Sequence, residues 1–299
     1  MQHRILYIIN PISGKKNKQT LEELIHAETR KAGLSFEIFP SVTSGDYSFL
    51  DELIEAKKFT LIAIAGGDGT VNQAVNSLKK HRLPFAIIPC GSGNGLAFSA
   101  GIPKNAKLAL NIAFNGKSEW TDAFTINEQF ACMVCGLGFD AQVAHDFALD
   151  KKRGLITYVK KIFEKFFSAK PYSFILKLHG ETIKLEAFFI SIANSNQYGN
   201  NFTIAPKASL TDGLLDIVIV TQQTKLNLVL QTLMQVSGFN QLQKLENINK
   251  DTSVIYFQTN AIEISNPLLA PLHIDGEPVE SVKEIDIKIQ PKSFQLIYP

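Results

Sequence analysis

Apolar positions along the chain follow two regimes. Up to about residue 120, short unbroken apolar runs alternate with stretches whose apolar residues recur at helical spacing. The runs Arg4 to Ile9, Phe36 to Phe39, Phe59 to Ala65 and Phe85 to Ile88 predict strands. Between them the spacing predicts helices over about 17–32, with Leu21, Leu24, Ile25 and Ala27 on the apolar side, and over about 47–57. Another helix is expected from Val71 to Lys80, a short one ending near Gly101, and a last one over about 105–115. Such strand–helix alternation predicts a parallel sheet with helices on both faces. Ligands of these sheets bind outside the carboxyl ends of the strands.

The pattern changes near Asp122. From Phe124 onward short runs with period-two alternation dominate: Phe130 to Val134, Tyr172 to Leu178, Thr182 to Ala193, Leu215 to Val220, Ser253 to Gln258, Ala261 to Ser265 and Leu272 to Ile274. Gly and Asn turns separate many of them, as in an antiparallel sandwich. A domain boundary is therefore expected at about residue 124. Two helical stretches interrupt the second half, Lys151 to Ser168 and about Leu226 to Gly238. The first carries Leu155, Tyr158, Val159, Ile162, Phe163, Phe166 and Phe167 on one face, with seven basic against two acidic residues from Asp150 to Lys170. It reads either as a helix covering the sandwich or as one lying on an anionic membrane surface.

Two glycine loops stand at the ends of successive predicted strands, GGDGT from Gly66 and GSGNG from Gly91. In the first, Gly66 and Gly67 make a turn where a Cβ would obstruct the backbone or a ligand. Asp68, Gly69, Thr70, Val71 and Asn72 then lead into a helix, so the stretch reads either as an ordinary βα turn or as an anion site at the helix N-terminus. A carboxylate there would repel a phosphate directly, so Asp68 suits a cation or a hydroxyl beside one. The Walker pattern GxxxxGK[ST] is absent. Gly91, Gly93 and Gly95 have spacing GxGxG, away from the first strand and without a following ribose-binding acid, which argues against a dehydrogenase.

Composition narrows the rest. A net charge of +2 on 299 residues argues against a dedicated nucleic-acid binder, and three cysteines build no disulfide framework. Cys132 and Cys135 are spaced CxxC with no second pair nearby, which reads as buried thiols. No segment reaches the roughly 18 unbroken apolar residues of a membrane span. The apolar core of MQHRILYIINP is too short for a signal peptide, so a cytoplasmic location is expected.

With GGDGTVN and PCGSGNGLA in place, the sequence resembles the diacylglycerol kinase and sphingosine kinase-like lipid kinases, the soluble bacterial members above all. NPISG matches the family's opening loop, Val42-Thr43 its small nucleotide-contacting loop, TDGLLDI its metal-loop region and IDGE its late catalytic motif. The resemblance implies a three-layer α/β nucleotide-binding domain of the NAD kinase and phosphofructokinase type over residues 1–124, joined by about 287–299. It also implies an antiparallel β-sandwich over 125–286 that holds the lipid. ATP is implied as phosphoryl donor, held between the domains by Gly66 to Asn72, with Asn10, Thr43, Gly91 and Ser92 at its rim. Mg²⁺ is implied at Asp68, with Asp122 organising its water network, and a second ion at Ser209, Asp212 and Leu214. Glu277 would be the general base, and Asp68 is the rival for that role, as in sphingosine kinase-like members. The implied partner is a lipid alcohol at the inner membrane surface, with the enzyme peripheral there; exposed sheet edges are compatible with a homodimer. Gly95 replaces the aspartate that bacterial diacylglycerol kinases carry in the second glycine loop. A soluble-substrate kinase of the NAD kinase type and a non-catalytic nucleotide- or lipid-binding regulator are the alternatives.

Overall fold

The computed structural model describes residues 4–11, 18–139, 141–142, 170–178, 180–196, 203–221, 240–245, 248–249 and 252–299. The helical stretches expected over 151–168 and 226–238 lie outside these residues. The chain divides into two compact units, one of Met1–Ala123, Gly199–Asn201 and Pro291–Pro299, the other of Phe124–Tyr198 and Phe202–Gln290.

The first unit is built on five parallel strands in the order β2-β1-β3-β4-β15: β1 Arg4–Ile9, β2 Ser35–Pro40, β3 Leu61–Gly66, β4 Phe85–Pro89 and the end of β15, Glu284–Tyr298. All six residues of β3 and all five of β4 are buried. Successive side chains point to opposite faces, so both faces of the sheet are covered, and this is why these strands read as unbroken apolar runs. The covering helices are α1 Lys18–Lys31, α2 Asp51–Lys57, α3 Asp68–Leu78, α4 Gly95–Ser99 and α5 Ala106–Asn115. Asn105 caps α5, its side chain accepting the N–H groups of Lys107 at 3.0 Å and Leu108 at 3.1 Å.

The second unit is an antiparallel β-sandwich. Its long strand β9, Glu181–Ala193, pairs along one edge with β8, Tyr172–Leu178, and β7, Val134–Gly138, and along the other with β10, Leu215–Thr221. β11, Val254–Thr259, extends β10; β12, Ala261–Ser265, joins β8 to the first part of β15. β13, Leu272–Ile274, pairs with β7 and with β14, Glu277–Val279. Ile217 and Ile219 enter one apolar core with Phe174, Ile190, Ile192 and Phe257, while Val218 and Val220 enter another with Phe188 and Tyr256. A strand buried on both faces again explains an unbroken run, LDIVIVT.

Two expectations need correcting. Asp68, Gly69 and Thr70 are not part of a loop before a helix at Val71; they form the first turn of α3, with Gly67 extended as its cap. The single strand expected over Phe130 to Val134 is divided between β6, Gln129–Ala131, and β7. There the N–H groups of Cys132 and Met133 are taken by the Asp275 carboxylate, each at 2.9 Å, so a side chain replaces a ladder partner. Two strands had no counterpart among the expected ones: Glu284–Tyr298 and Lys117–Ile126 are β15 and β5, which pair with each other. Pro291 interrupts the pattern of β15 where the strand leaves β12, its partner at 284–288, and goes on to β4 at Leu296.

Candidate active site

At the carboxyl ends of β3 and β4 the two glycine loops lie in backbone contact. A Cβ built on Gly91 would stand 2.6 Å from the Gly67 Cα, and one on Gly67 would stand 3.2 Å from the Gly91 Cα. The Cys90 N–H, donated to the Gly66 carbonyl at 2.9 Å, continues the β3–β4 pairing to the mouth of the loops. Gly66 meets the first turn of α3 just as tightly, since a Cβ there would be 2.7 Å from Thr70 Cβ. The Asn10 side chain, at the end of β1, donates to Thr70 Oγ1 at 2.7 Å. Three strand ends therefore converge on the N-terminus of α3, where first-turn N–H groups have no partner inside the helix and the dipole favours negative charge.

Asn94 closes the second loop. Its Oδ1 accepts the Gly91 N–H at 2.8 Å and its Nδ2 donates to the Gly91 carbonyl at 2.9 Å, with φ +60° and 2% exposure. Asparagine tolerates this left-handed backbone better than most residues, so its place in GSGNG is both conformational and hydrogen-bonding. Beside the loop, burial pushes the Cys90 thiol up to about 11. Gly95 is buried at the first residue of α4.

The remaining positions of this unit are placed as follows. Asp68 is half-buried in the first turn of α3. Val71 is buried and gives its N–H to the Gly67 carbonyl at 3.0 Å, so it serves the site through the helix it continues. Asn72 is half-buried one residue further along. Ser92 is exposed in the second loop, and Thr43 is exposed in the turn after β2, closed by the Gly45 N–H on the Val42 carbonyl at 3.2 Å. Asp122 is 2% exposed on β5, and its Oδ1 accepts the Lys292 N–H at 2.7 Å. That bond holds β15 at Lys292, which has φ +54°. Beyond Pro11 the opening NPISG loop falls outside the described residues.

In the second unit, Glu277 is the exposed first residue of β14. The residues before it, Asp275 at φ 49° and Gly276 at φ 84°, make a two-residue hairpin turn with both central residues left-handed. The Asp275 side chain is buried against the Cys132–Met133 backbone, and the Gly276 N–H reaches His273 Nδ1 at 3.1 Å. The turn that carries Glu277 is thus held from both sides. Ser209, Asp212 and Leu214 share one turn before β10: Ser209 Oγ accepts the Thr211 N–H at 3.3 Å and Asp212 Oδ1 the Leu214 N–H at 3.0 Å.

Two carboxylate arrangements escaped the sequence reading. For Asp275, nothing in IDGE distinguishes an outward side chain from a buried one. Asp216 is fully buried; it accepts the Tyr256 hydroxyl, and Gln258 Nε2 at 3.0 Å. Burial, against the help of those two donors, pushes its carboxyl up to about 6. A lone acid inside LDIVIV was the available signal.

Comparison with known proteins gives this geometry a family. Residues 4–126 match the diacylglycerol kinase catalytic domain, and residues 133–298 match the YegS C-terminal NAD kinase beta sandwich-like domain. The chain belongs to the diacylglycerol kinase-like lipid kinase family. It is an enzyme of the kinase class. A diacylglycerol kinase of Bacillus subtilis is 28% identical over 280 residues, covering 92% of this chain and 89% of its own. One from Staphylococcus aureus is 26% identical over 283 residues, covering 93% and 87%. The fold matches that of a diacylglycerol kinase crystal structure from Bacillus anthracis with TM-score 0.74 at 20% identity, covering 99% of this chain and 97% of that one. Among the described residues no helix is long and apolar enough to cross a membrane.

Proposed function

We propose that this lipid kinase transfers the γ-phosphoryl group of ATP, in a magnesium-dependent reaction, to the hydroxyl of diacylglycerol or a related long-chain lipid alcohol at the inner membrane surface. The observation that carries the reading is the backbone contact of Gly67 with Gly91. A Cβ on either glycine would strike the backbone of the other loop, so glycine lets the two loops lie together beside the α3 N-terminus, where a phosphate chain is favoured. Asn10 steadies that first turn through Thr70, while Thr43 and Ser92 border the nucleotide from exposed turns. Roles divide between the units: the first binds nucleotide, the second the lipid.

Among the described residues no three His, Cys, Asp or Glu side chains gather as a metal cage. Magnesium binds through one or two carboxylates plus nucleotide phosphates. Asp68 would hold it, Asp122 would order its waters, and the turn of Ser209, Asp212 and Leu214 would hold a structural ion. When bound, magnesium neutralises charge on the transferring phosphoryl. Glu277, exposed on a fixed hairpin, takes the proton from the lipid hydroxyl. Asp68 is the rival base.

A substrate panel tests the reading. Diacylglycerol vesicles should give magnesium-dependent ATP consumption and a phosphorylated lipid, whereas NAD should give no product. Product from NAD but from no lipid would replace this reading with a soluble-substrate kinase.

A further inference from the structure

Of six large hydrophobic side chains exposed among the described residues, three share one edge of the second unit: Leu268 at 61%, Leu269 at 47% and Val282 at 37%. They belong to the turn between β12 and β13 and to the segment beside it. Asn266, fully buried, organises both. Its Oδ1 accepts the Ala270 N–H at 2.8 Å, and its Nδ2 donates to the carbonyls of Ala270 at 3.1 Å and Val282 at 3.3 Å. Its backbone N–H reaches the Lys283 carbonyl at 2.7 Å, and the Leu269 N–H closes the turn on the Asn266 carbonyl at 3.1 Å. Ser281 Oγ adds a bond to the Ala270 carbonyl at 2.9 Å.

This turn is held against two costs. Leu269 sits at φ +52°, a region that disfavours leucine. Pro267, Leu268 and Leu269 are all exposed in succession, so their apolar surface meets water instead of a core. A buried asparagine spends its whole side chain on keeping them outward, which is the behaviour of a presented contact and not of a slack loop.

The occupant follows from size and charge. A stable protein interface uses about 20–30 residues a side, and three side chains on a tight turn fall far short. Exposed apolar side chains can instead be buried in the headgroup and acyl boundary of a bilayer, which needs no large complementary surface. The flanking charges are mixed, Lys283 between the exposed Glu280 and Glu284, so the attraction is apolar and not anion-selective. We infer that the Pro267–Leu269 turn, backed by Val282, is a wedge that inserts into the lipid bilayer; the inference rests on the lipid-substrate reading above.

The test is flotation of the full chain with phosphatidylcholine vesicles at roughly 1 M salt, where the Debye length is about 3 Å and charge attraction is removed. The double variant Leu268→Ser/Leu269→Asn, whose asparagine suits the left-handed position, should lose at least about tenfold in partitioning. Its turnover of a monodisperse short-chain diacylglycerol should match wild type. Leu268→Trp in a Trp120→Phe background should keep binding, and the emission of the introduced tryptophan, then the only one in the chain, should shift to the blue with vesicles. Partitioning of the double variant equal to wild type, parallel loss on the short-chain substrate, or an unshifted tryptophan would each overturn the wedge. So would loss of a concentration-dependent dimer in light scattering without loss of vesicle binding, which would assign the turn to self-association. Vesicle binding that depends on the turn in a protein that phosphorylates no lipid would instead sink the substrate reading and leave the wedge standing.

Discussion

Gly91 lies against Gly67 so closely that a methyl group on Gly91 would stand 2.6 Å from the Gly67 Cα. The reverse addition leaves 3.2 Å, so the two positions are unequal. Gly91→Ala must move backbone and should cost about 1–3 kcal/mol, lowering Tm by roughly 2–4 °C for each. Gly67→Ala should cost less. Thermal unfolding with and without ATP and magnesium checks both, and Gly91→Ala should also lose most of the nucleotide-induced rise in Tm. Equal effects of the two substitutions would contradict the asymmetry.

Asn94 separates conformation from hydrogen bonding. Asn94→Gly keeps the left-handed backbone and loses both bonds to Gly91; Asn94→Ala loses both and adds strain. The alanine variant should therefore unfold about 1–2 kcal/mol more easily than the glycine variant in denaturant titrations.

Asp275 ties the Glu277 hairpin to the break between β6 and β7. Asp275→Ala removes the carboxylate that accepts two buried N–H groups, at about 1–3 kcal/mol each. Asp275→Asn keeps one acceptor and should lose about half as much. Both should lower turnover, in the same order, because the turn positions Glu277. A pair of variants with full stability and full turnover would remove Asp275 from the account.

Cys90 offers a pH test. With its thiol at about 11 in place of 9.0, the thiolate fraction at pH 8 is about a hundredfold below that of an ordinary cysteine. Carboxamidomethylation at Cys90, followed by peptide mapping, should be slow at pH 8 and rise about tenfold per pH unit until near 11. Bound nucleotide should slow it further. A plateau already at pH 9 would show that burial does not hold the thiol protonated.

Much of this was legible in the chain because burial and turn chemistry leave local marks. The strand ending at Gly66 shows itself by an apolar run followed by paired glycines, and the hairpin before Glu277 by Asp275-Gly276. What was hidden depends on contacts distant in sequence. Nothing near Cys132 says that a carboxylate 143 residues away will take its N–H and split a strand. Pro291 masks β15 because proline normally ends a ladder, and only the change of partner there accommodates it. The start of α3 was misplaced because Gly69 disfavours helix on its own, yet Asn10 and Gly66 pin Thr70 into the first turn.

The most direct measurement is transfer of label from γ-labelled ATP to a total lipid extract, read by mass spectrometry, for wild type, Asp68→Ala and Glu277→Ala. Wild type should yield a phosphorylated lipid, and each variant should lose at least about 10²-fold in rate, the usual worth of a positioned general base. Undiminished product from both variants, or none from the wild type, would contradict the account.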